Sequence, residues 1–505
     1  MSDRLLGPIV FFSGMASLGV ELAASRLLAP FFGTSLLVWA NLIGLILIYL
    51  TVGYYLGGRW ADRDPRFDTL YRIVGVGGFT VGLVPFVAEP LLTLAIPALQ
   101  TFDAGLGATS FIGTLVLFSV PVTLLGCVTP FALRLNARRL EAVGSTAGNL
   151  YALSTLGSIF GVYLTTFVLI PNIGTRLTFA LLSLVLLALA GAAIVQRSGF
   201  VRALPYAGMC VVVALLAAWQ GTSVVKAAPN LIYEAESPYN FVQVVQDEGS
   251  LLLTVNEGQA YQSVYHPNTV LLGGYWDLML LAPFYTSPSP PRSLLVIGLA
   301  AGTVPKQYSQ VYPGIKMDGV EIDPTIVEVG RKYFHMNEPN LRAFVDDGRA
   351  FLRRPDAGSY DVIAVDAYHQ PYIPFHLATV EFFRELKAHL SSRGVVAVNA
   401  AGVPNDQRLA DALAATLGQV YPSVILIDHP NGSNTVLFAS AQPVELADFR
   451  ARLAALTDPN LRYAAGIAVQ HMRPPSANGE VFTDDHAPVE NLIHSIMFDY
   501  ALGGK

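Results

Sequence analysis

The segment Ser293-Leu-Leu-Val-Ile-Gly-Leu-Ala-Ala-Gly302 is an apolar run of strand length that breaks into glycine and alanine. Three further strand-like runs follow, and each ends in a carboxylate or a glycine: Lys316-Met-Asp-Gly-Val-Glu-Ile-Asp323, Arg342-Ala-Phe-Val-Asp-Asp-Gly348 and Tyr360-Asp-Val-Ile-Ala-Val-Asp366. Segments compatible with helices separate the four runs. This alternation predicts an α/β domain with a parallel, doubly wound sheet, in which ligands bind at the carboxyl ends of the strands.

Small residues and acids at the ends of these runs indicate a nucleoside site. Gly298 allows a tight turn, and Glu321, 23 residues later, is suitably placed to bind the two hydroxyls of a ribose. The alternative is a plain sheet with solvated acids at its strand ends, because glycine turns are common. Acids at three successive strand ends favour nucleoside binding over that alternative.

The composition divides the 505 residues into an apolar part and a part of ordinary globular composition. The chain is 53% hydrophobic and 13% charged, with a mean hydropathy of +0.48, which is too apolar for a soluble protein. We predict a polytopic α-helical membrane domain over 1–225, a β-hairpin lid subdomain over 226–290 and the α/β domain over 291–505. Within the lid, residues 231–265 alternate polar and apolar side chains between turns.

About seven segments of the N-terminal part are long and apolar enough to cross a bilayer. They lie near 7–28, 35–57, 71–88, 110–133, 150–170, 176–196 and 203–221. We expect residues 89–106 to form a separate re-entrant or interfacial piece, because Pro90 and Pro97 interrupt it.

Arginines follow every second span and mark the cytoplasmic side of a membrane protein. They stand after the second, fourth and sixth spans: Arg59, Arg63, Arg66, Arg72, Arg134, Arg138, Arg139, Arg197 and Arg202. This pattern puts the N-terminus inside, and seven crossings then put the α/β domain outside. A miscounted span, with 203–221 lying in the membrane plane or doubling back, would put it inside, so the side stays open.

The sequence gives no indication of a nucleic-acid surface or a metal site. The net charge is −6, and no basic run contains interleaved aromatic residues. The two cysteines, Cys127 and Cys210, lie in apolar segments, so we expect neither a disulfide framework nor a cysteine metal site. His369 and His376 have no evident third ligand, which favours hydrogen bonding over metal binding.

Three short segments precede the α/β pattern in a specific order: Glu236-Ser-Pro-Tyr-Asn-Phe241, Asn256-Glu-Gly-Gln259 and Gly274-Tyr-Trp-Asp277. With the sheet pattern and Phe482-Thr-Asp-Asp-His-Ala-Pro-Val-Glu490, this order resembles the spermidine synthase (polyamine aminopropyltransferase) family, and more closely its membrane-fused bacterial members. The resemblance covers about 231–440. It implies a Rossmann-like (methyltransferase-type) fold and a multi-pass protein in the lipid bilayer of the bacterial inner membrane. It also suggests a homodimer.

The resemblance implies a reaction and residues that carry it. The reaction would move an aminopropyl group from decarboxylated S-adenosylmethionine to a small amine. Asp366 would orient the amine and take its proton, because a sulfonium carbon reacts with a neutral amine. The residues that would bind the donor are Gln259, Gly298, Gly302, Glu321, Asp346 and Asp347. The residues that would contact the amine substrate are Tyr239, Tyr275 and His369.

The chain departs from the family at two positions that carry acids there. Ala301 stands in the glycine turn, and His369 stands shortly after Asp366. Each missing acid removes a charge-assisted bond of about 1.5–3 kcal/mol to a cationic substrate. Alanine would also leave more room for the carboxylate of intact S-adenosylmethionine. Three functions stay open: an aminopropyltransferase, a methyltransferase that uses S-adenosylmethionine on a membrane-associated substrate, and a non-catalytic sensor or transporter that binds a polyamine or nucleoside.

Overall fold

A computed structural model describes residues 4–33, 35–100, 106–136, 143–220, 225–258, 260–368 and 372–501, with only the backbone given for 36, 93–100, 106–109, 220 and 501. The chain divides into two compact units, Met1–Ala227 and Ala228–Lys505. Each unit has its own apolar core.

The described part of the first unit is helical. Its helices are α1 (Leu6–Phe32), α2 (Leu36–Arg63), α3 (Phe67–Gln100), α4 (Leu106–Gly126), α5 (Val128–Asn136), α6 (Val143–Leu164), α7 (Ile170–Ser198) and α8 (Phe200–Gln220). A short π-helix, Thr165–Leu169, joins α6 to α7. By length and composition, six helical stretches of the described chain could cross a membrane, and the fifth runs from Val143 to Ser198.

Two of the expected spans and the expected separate piece can be compared with the helices of the structure. Residues 150–170 and 176–196 fall in one helical stretch of 56 residues. Within it, Gly174 has φ 76° and ψ 169°, which interrupts the helical backbone. The expected separate piece at 89–106 is wrong as far as Gln100, because α3 continues through Pro90 and Pro97. Neighbouring helices can satisfy the backbone groups that a proline frees in such a bundle.

Glycine pairs let helices of the first unit approach each other closely. A Cβ on Gly53 would lie 2.3 Å from Thr123 O, and one on Gly57 would lie 2.6 Å from Cys127 Cα. A Cβ on Gly161 would lie 2.2 Å from Met15 O. These spacings are the close backbone contacts that small residues permit between helices.

The second unit opens with a four-stranded antiparallel sheet in sequential order. Its strands are β1 (Leu231–Glu236), β2 (Phe241–Asp247), β3 (Ser250–Val255) and β4 (Tyr261–Tyr265). Val242 and Val244 of this sheet pack against Ile326 and Phe334 in one apolar cluster. The small sheet therefore lies against the α/β part of the same unit.

The main sheet has eight strands, in the order β12-β10-β11-β9-β8-β5-β6-β7. Its strands are β5 (Ser293–Ile297), β6 (Lys316–Glu321), β7 (Leu341–Val345), β8 (Tyr360–Val365), β9 (Leu390–Ala401), β10 (Ser423–Asp428), β11 (Asn434–Ser440) and β12 (Met472–Arg473). Strands β5 to β9 pair in parallel, and β11 joins β9 antiparallel. The four predicted strand-like runs are β5, β6, β7 and β8, as expected for a doubly wound α/β domain.

Helices cover both faces of the main sheet. They are α9 (Tyr275–Met279), α10 (Thr303–Val311), α11 (Pro324–Tyr333), α12 (Gly348–Leu352), α13 (Val380–Ala388), α14 (Arg408–Gly418), α15 (Leu446–Ala454), α16 (Pro459–His471) and α17 (Val489–Ala501). Successive side chains of β5 enter different clusters: Leu295 packs with Phe382 on one face, and Val296 packs with Tyr308 on the other. Burial on both faces explains why these strands read as continuous apolar runs.

Candidate active site

The carboxyl ends of the central strands bring the predicted acids to one edge of the main sheet. Asp366 N donates to Ile297 O at 2.8 Å, so the residue after β8 lies beside the end of β5. Asp346 N donates to Glu321 O at 3.0 Å, so the residue after β7 lies beside the end of β6. This edge is where open α/β sheets bind their ligands.

Glu321 is a nearly buried carboxylate at the end of β6, with 8% of its surface exposed. Its Oε2 accepts a hydrogen bond from Ala300 N at 2.9 Å, and its Oε1 accepts one from Asp323 N at 3.2 Å. Burial raises the pKa of Glu321 to about 7. A carboxylate can accept about four hydrogen bonds, so both oxygens keep capacity for two hydroxyls of a ligand.

The glycine turn after β5 is shaped by contacts within the protein. Gly298 and Gly302 have φ values of 87° and 91°, in the region that favours glycine. A Cβ on Gly298 would lie 2.4 Å from Asp366 O, and one on Gly302 would lie 2.6 Å from Met336 Cγ. Contacts within the protein therefore explain why both positions are glycine. The approach of Gly298 and Gly302 to a nucleoside stays a prediction.

Asp366 lies at the end of β8, and each of its carboxylate oxygens accepts a hydrogen bond from a neutral donor. Tyr275 Oη donates to Asp366 Oδ2 at 2.8 Å, and Asn399 Nδ2 donates to Asp366 Oδ1 at 2.9 Å. Burial raises the pKa of Asp366 to about 7, although both donors act to lower it. Burial also raises the pKa of Tyr275 well above its usual value, so this phenol stays a donor. A carboxyl group with a pKa near neutrality is suited to general base catalysis.

Asn399 is a site residue that the sequence did not identify. It is 3% exposed on β9, within the otherwise apolar stretch 395–401. Its Oδ1 accepts a hydrogen bond from Asn434 Nδ2 at 2.9 Å, which fixes its Nδ2 towards Asp366. A polar side chain in an apolar strand was the available signal, but its partner could not be known from the sequence.

The two aspartates after β7 have different surroundings. Asp347 caps α12: its Oδ1 accepts from Arg349 N and Ala350 N, and its Oδ2 lies 3.0 Å from His376 Nε2. The hydrogen bond with His376 is the main reason why the pKa of Asp347 falls to about 2. Asp346 Oδ1 accepts a backbone hydrogen bond from Asp347 N at 2.9 Å, and Asp346 Oδ2 lies 3.4 Å from Arg354 Nη1. Asp346 therefore has fewer hydrogen-bond partners than Asp347.

The turn between β1 and β2 is tied to the acidic loop after β6. Ser237 Oγ and Asn240 Nδ2 donate to Asp323 Oδ2 at 2.5 and 3.0 Å, and Asp323 is fully buried. Tyr239, between them, is 39% exposed, and its backbone N donates to Ser237 Oγ at 3.1 Å. The small sheet is thus anchored beside Glu321, and its contact with an amine stays a prediction.

Three further residues of the predicted site are Gln259, His369 and Ala301. Gln259 and His369 lie outside the described residues. Ala301 is 1% exposed in the apolar cluster of the small sheet and α11, and its amide donates to Ser263 Oγ at 2.9 Å. The expected open space beside Ala301 is therefore filled by protein. Among the described residues, no group of three or more His, Cys, Asp or Glu side chains could hold a metal ion.

Comparison with known proteins identifies this α/β part. Residues 277–437 match the spermine/spermidine synthase domain. A relative in Bifidobacterium longum (strain NCC 2705), named "Probable polyamine aminopropyl transferase", is 33% identical over 288 residues, which are 53% of this chain and 63% of the relative. "Putrescine N-methyltransferase 1" of Nicotiana tabacum is 26% identical over 213 residues, which are 41% of this chain and 54% of the relative. The chain thus spans less than two thirds of either relative.

A solved structure aligns with part of this chain. The crystal structure of a probable spermidine synthase from Corynebacterium glutamicum ATCC 13032 covers 51% of this chain and 97% of its own, with 18% identity and a TM-score of 0.40.

Proposed function

Because residues 277–437 carry a spermine/spermidine synthase domain, we propose that the protein transfers an aminopropyl group from decarboxylated S-adenosylmethionine to a small amine. The observation that carries this proposal is Asp366, a partly buried carboxylate with a pKa of about 7 at the carboxyl edge of the sheet. Its two donors, Tyr275 and Asn399, hold the carboxylate in one orientation. The relative named as an aminopropyl transferase supports the same reaction class.

The proposed step is a direct displacement at carbon. The lone pair of the amine nitrogen attacks the propyl carbon bound to the sulfonium, and a carbon–nitrogen bond forms. The carbon–sulfur bond breaks, its electrons return to sulfur, and methylthioadenosine leaves. Asp366 takes the proton that the nitrogen loses, and its raised pKa matches that role near neutral pH. Positioning supplies most of the rate, since the donor is already activated.

Glu321 is the residue that fits the ribose of the donor. It is buried, lies beside the glycine turn, and keeps two acceptor positions free of the backbone amides that hold it. Asp346 at the neighbouring strand end would face the adenine. Both assignments follow from the carboxyl-edge position of these acids.

A methyltransferase that uses intact S-adenosylmethionine is the second candidate function. Ala301 offers no carboxylate for the amino group of an aminopropyl donor, and it is buried among apolar side chains. One relative is named as a putrescine N-methyltransferase. In this reaction Asp366 would keep its role, and the group transferred would be the methyl group.

We also propose that the first unit is embedded in a lipid bilayer, the inner membrane of a bacterium. The unit exposes many large apolar side chains on its helices, including Leu47, Tyr55, Phe160 and Leu215. Exposed apolar surface of this kind is stable in lipid and costly in water.

The test of the reaction uses the full chain purified in detergent. Putrescine is mixed with either decarboxylated or intact S-adenosylmethionine, and mass spectrometry follows methylthioadenosine and S-adenosylhomocysteine. We expect methylthioadenosine and an aminopropylated amine with the decarboxylated donor. The variant Asp366→Asn, which keeps the size of the side chain, should lose about 100-fold or more of the rate.

Two other results would overturn the proposal. S-adenosylhomocysteine from the intact donor, without methylthioadenosine from the other, would establish the methyltransferase. Binding of a nucleoside or polyamine without any product would leave a non-catalytic sensor or transporter.

A further inference from the structure

Three contacts bring the ends of several helices together at one end of the first unit, which we call the exit end. Lys226 Nζ donates to Pro30 O at 2.7 Å. Arg176 Nη2 donates to Val225 O at 3.3 Å and to Glu89 Oε2 at 3.2 Å. The end of α1, the later part of α3, the start of α7 and the chain after α8 therefore lie together. The chain leaves the first unit at this end.

Ion pairs between helix ends, next to the connecting loops, define the opposite end, which we call the arginine end. Arg134 Nε lies 2.9 Å from Asp62 Oδ1, which joins the end of α5 to the end of α2. Arg197 Nε lies 3.6 Å from Asp68 Oδ1, which joins the end of α7 to the start of α3. The described arginines in or beside these loops are Arg59, Arg63, Arg66, Arg72, Arg134, Arg197 and Arg202.

The two ends fix the direction of α3 and α7. Helix α3 begins with Asp68 at the arginine end and reaches Glu89 at the exit end. Helix α7 has Arg176 near its start, at the exit end, and reaches Arg197 at the arginine end. These two helices are therefore antiparallel.

Helix α6 runs in the direction of α1. Ser158 Oγ donates to Gly14 O at 3.1 Å. A Cβ on Gly7 would lie 3.6 Å from Leu153 Cδ2, and one on Gly19 would lie 3.0 Å from Thr165 Oγ1. Contacts that advance together along both helices show that α6 is parallel to α1, which ends at the exit end.

The stretch Val143–Ser198 therefore crosses the unit twice. Helix α6 runs to the exit end, the backbone breaks at Gly174, and α7 runs back. As one straight helix, its 56 residues would be about 84 Å long, against roughly 30 Å of hydrocarbon in a bilayer. In the described part of the first unit the passes are α1, α2, α3, α4 with α5, α6, α7 and α8, which makes seven.

We infer that the arginine end faces the cytoplasm and that residues 228–505 lie on the other side of the membrane. Arginine-rich short loops mark the cytoplasmic side. Because an odd number of passes separates the N-terminus from the exit end, the chain emerges on the opposite face. The inference depends on the proposed membrane embedding and does not depend on the reaction.

This topology constrains the supply of substrates. The donor and the amine that reach Asp366 would have to be present on the non-cytoplasmic side. A transport step must therefore deliver any sulfonium nucleoside that is made inside the cell, and the thioether product would be released outside it.

The test labels single added cysteines in intact cells with a maleimide that does not cross membranes. Ala441→Cys introduces a thiol in an exposed loop of the second unit. Gly144→Cys introduces one at the start of α6, at the arginine end, where a Cβ meets no atom within 4 Å. The parent chain reports background labelling of Cys127 and Cys210.

We expect the maleimide to label the cysteine at 441 in intact cells, and the cysteine at 144 only after the cells are permeabilised. Protection of both, or labelling at 144 with protection at 441, would overturn the inference. So would labelling of both in intact cells. The transferase assay is done in detergent, where the side of the membrane has no influence, so the two proposals fail independently.

Discussion

Asn399 donates a hydrogen bond to Asp366 at 2.9 Å, and it is oriented for that contact by Asn434 on the neighbouring strand. The hydrogen bond stabilises the charged form of Asp366 and opposes the effect of burial on its pKa. Asn399 is thus a positioning residue that also keeps the proposed base ionised near neutral pH.

The variant Asn399→Ala should raise the pKa of Asp366 and lower kcat/KM at pH 7. We expect a fall of about tenfold, the effect of one lost hydrogen bond to a charged group. The measurement is the pH dependence of kcat/KM. Asn434→Ala, which acts only through Asn399, should shift the profile less in the same direction. An unchanged midpoint in Asn399→Ala would exclude the positioning role.

The unmodified protein should show kcat/KM rising with pH through about 7, where Asp366 loses its proton. The direction follows because only the carboxylate can accept the proton of the amine. Initial rates between pH 5 and 9 at low amine concentration check this. A rate that falls over the same interval would contradict the role of Asp366.

Folding stability should decrease as pH rises from about 4 to about 7. Burial raises the pKa of Asp366 and Glu321 to about 7 in the folded protein, so the folded state holds protons that the unfolded chain has released. Protonation of these two carboxyl groups therefore stabilises the folded state, and this contribution to the free energy of unfolding is lost as pH rises through about 7.

Asp366→Asn removes one of these ionisations. We expect the difference in melting temperature between pH 5 and pH 8 to shrink by about 2 °C or more in this variant. Thermal unfolding of the full chain in detergent provides the measurement. If the difference stays the same as in the parent protein, Asp366 does not have a raised pKa.

Gly298 and Gly314 form a matched pair for testing the glycine turn. Their φ values are 87° and 83°, but a Cβ on Gly298 would lie 2.4 Å from Asp366 O, whereas one on Gly314 meets nothing within 4 Å. Gly314→Ala should cost about 1 kcal/mol of stability from backbone strain alone. Gly298→Ala should cost about 3 kcal/mol or more and displace Asp366.

Unfolding curves and transferase rates for the two variants check this prediction. Equal stability losses would show that the contact between Gly298 and the Asp366 backbone is unimportant. Full activity in Gly298→Ala would argue against Asp366 as the base.

The middle of the main sheet could be predicted from the sequence because β5 and β8 are short apolar runs that are buried on both faces. The ends of β5 to β8 carry the glycines and acids that gather at the carboxyl edge. Glu321 and Asp366 could be identified for the same reason. The sequence could not show that His376 contacts Asp347, since His376 lies in another element of the chain.

The positions at which the helices of the first unit break were harder to predict from the sequence. Pro90 and Pro97 suggested an interruption, yet α3 continues through them, whereas the reversal of the Val143–Ser198 stretch occurs at Gly174. Proline in such a bundle can be accommodated by neighbouring helices, so it is a poor guide to helix ends there.

Asn399 was not identified from the sequence, because the role of a single amide in an apolar stretch depends on partners that only the fold reveals.

The most direct test of the central claim uses decarboxylated S-adenosylmethionine with deuterium in its propyl group, mixed with putrescine and the full chain. Our account predicts that mass spectrometry finds the deuterated propyl group on the amine, with one unlabelled methylthioadenosine formed for each transfer, and neither product with Asp366→Asn. A deuterium-free amine and an intact donor, under conditions in which the protein binds that donor, would contradict it.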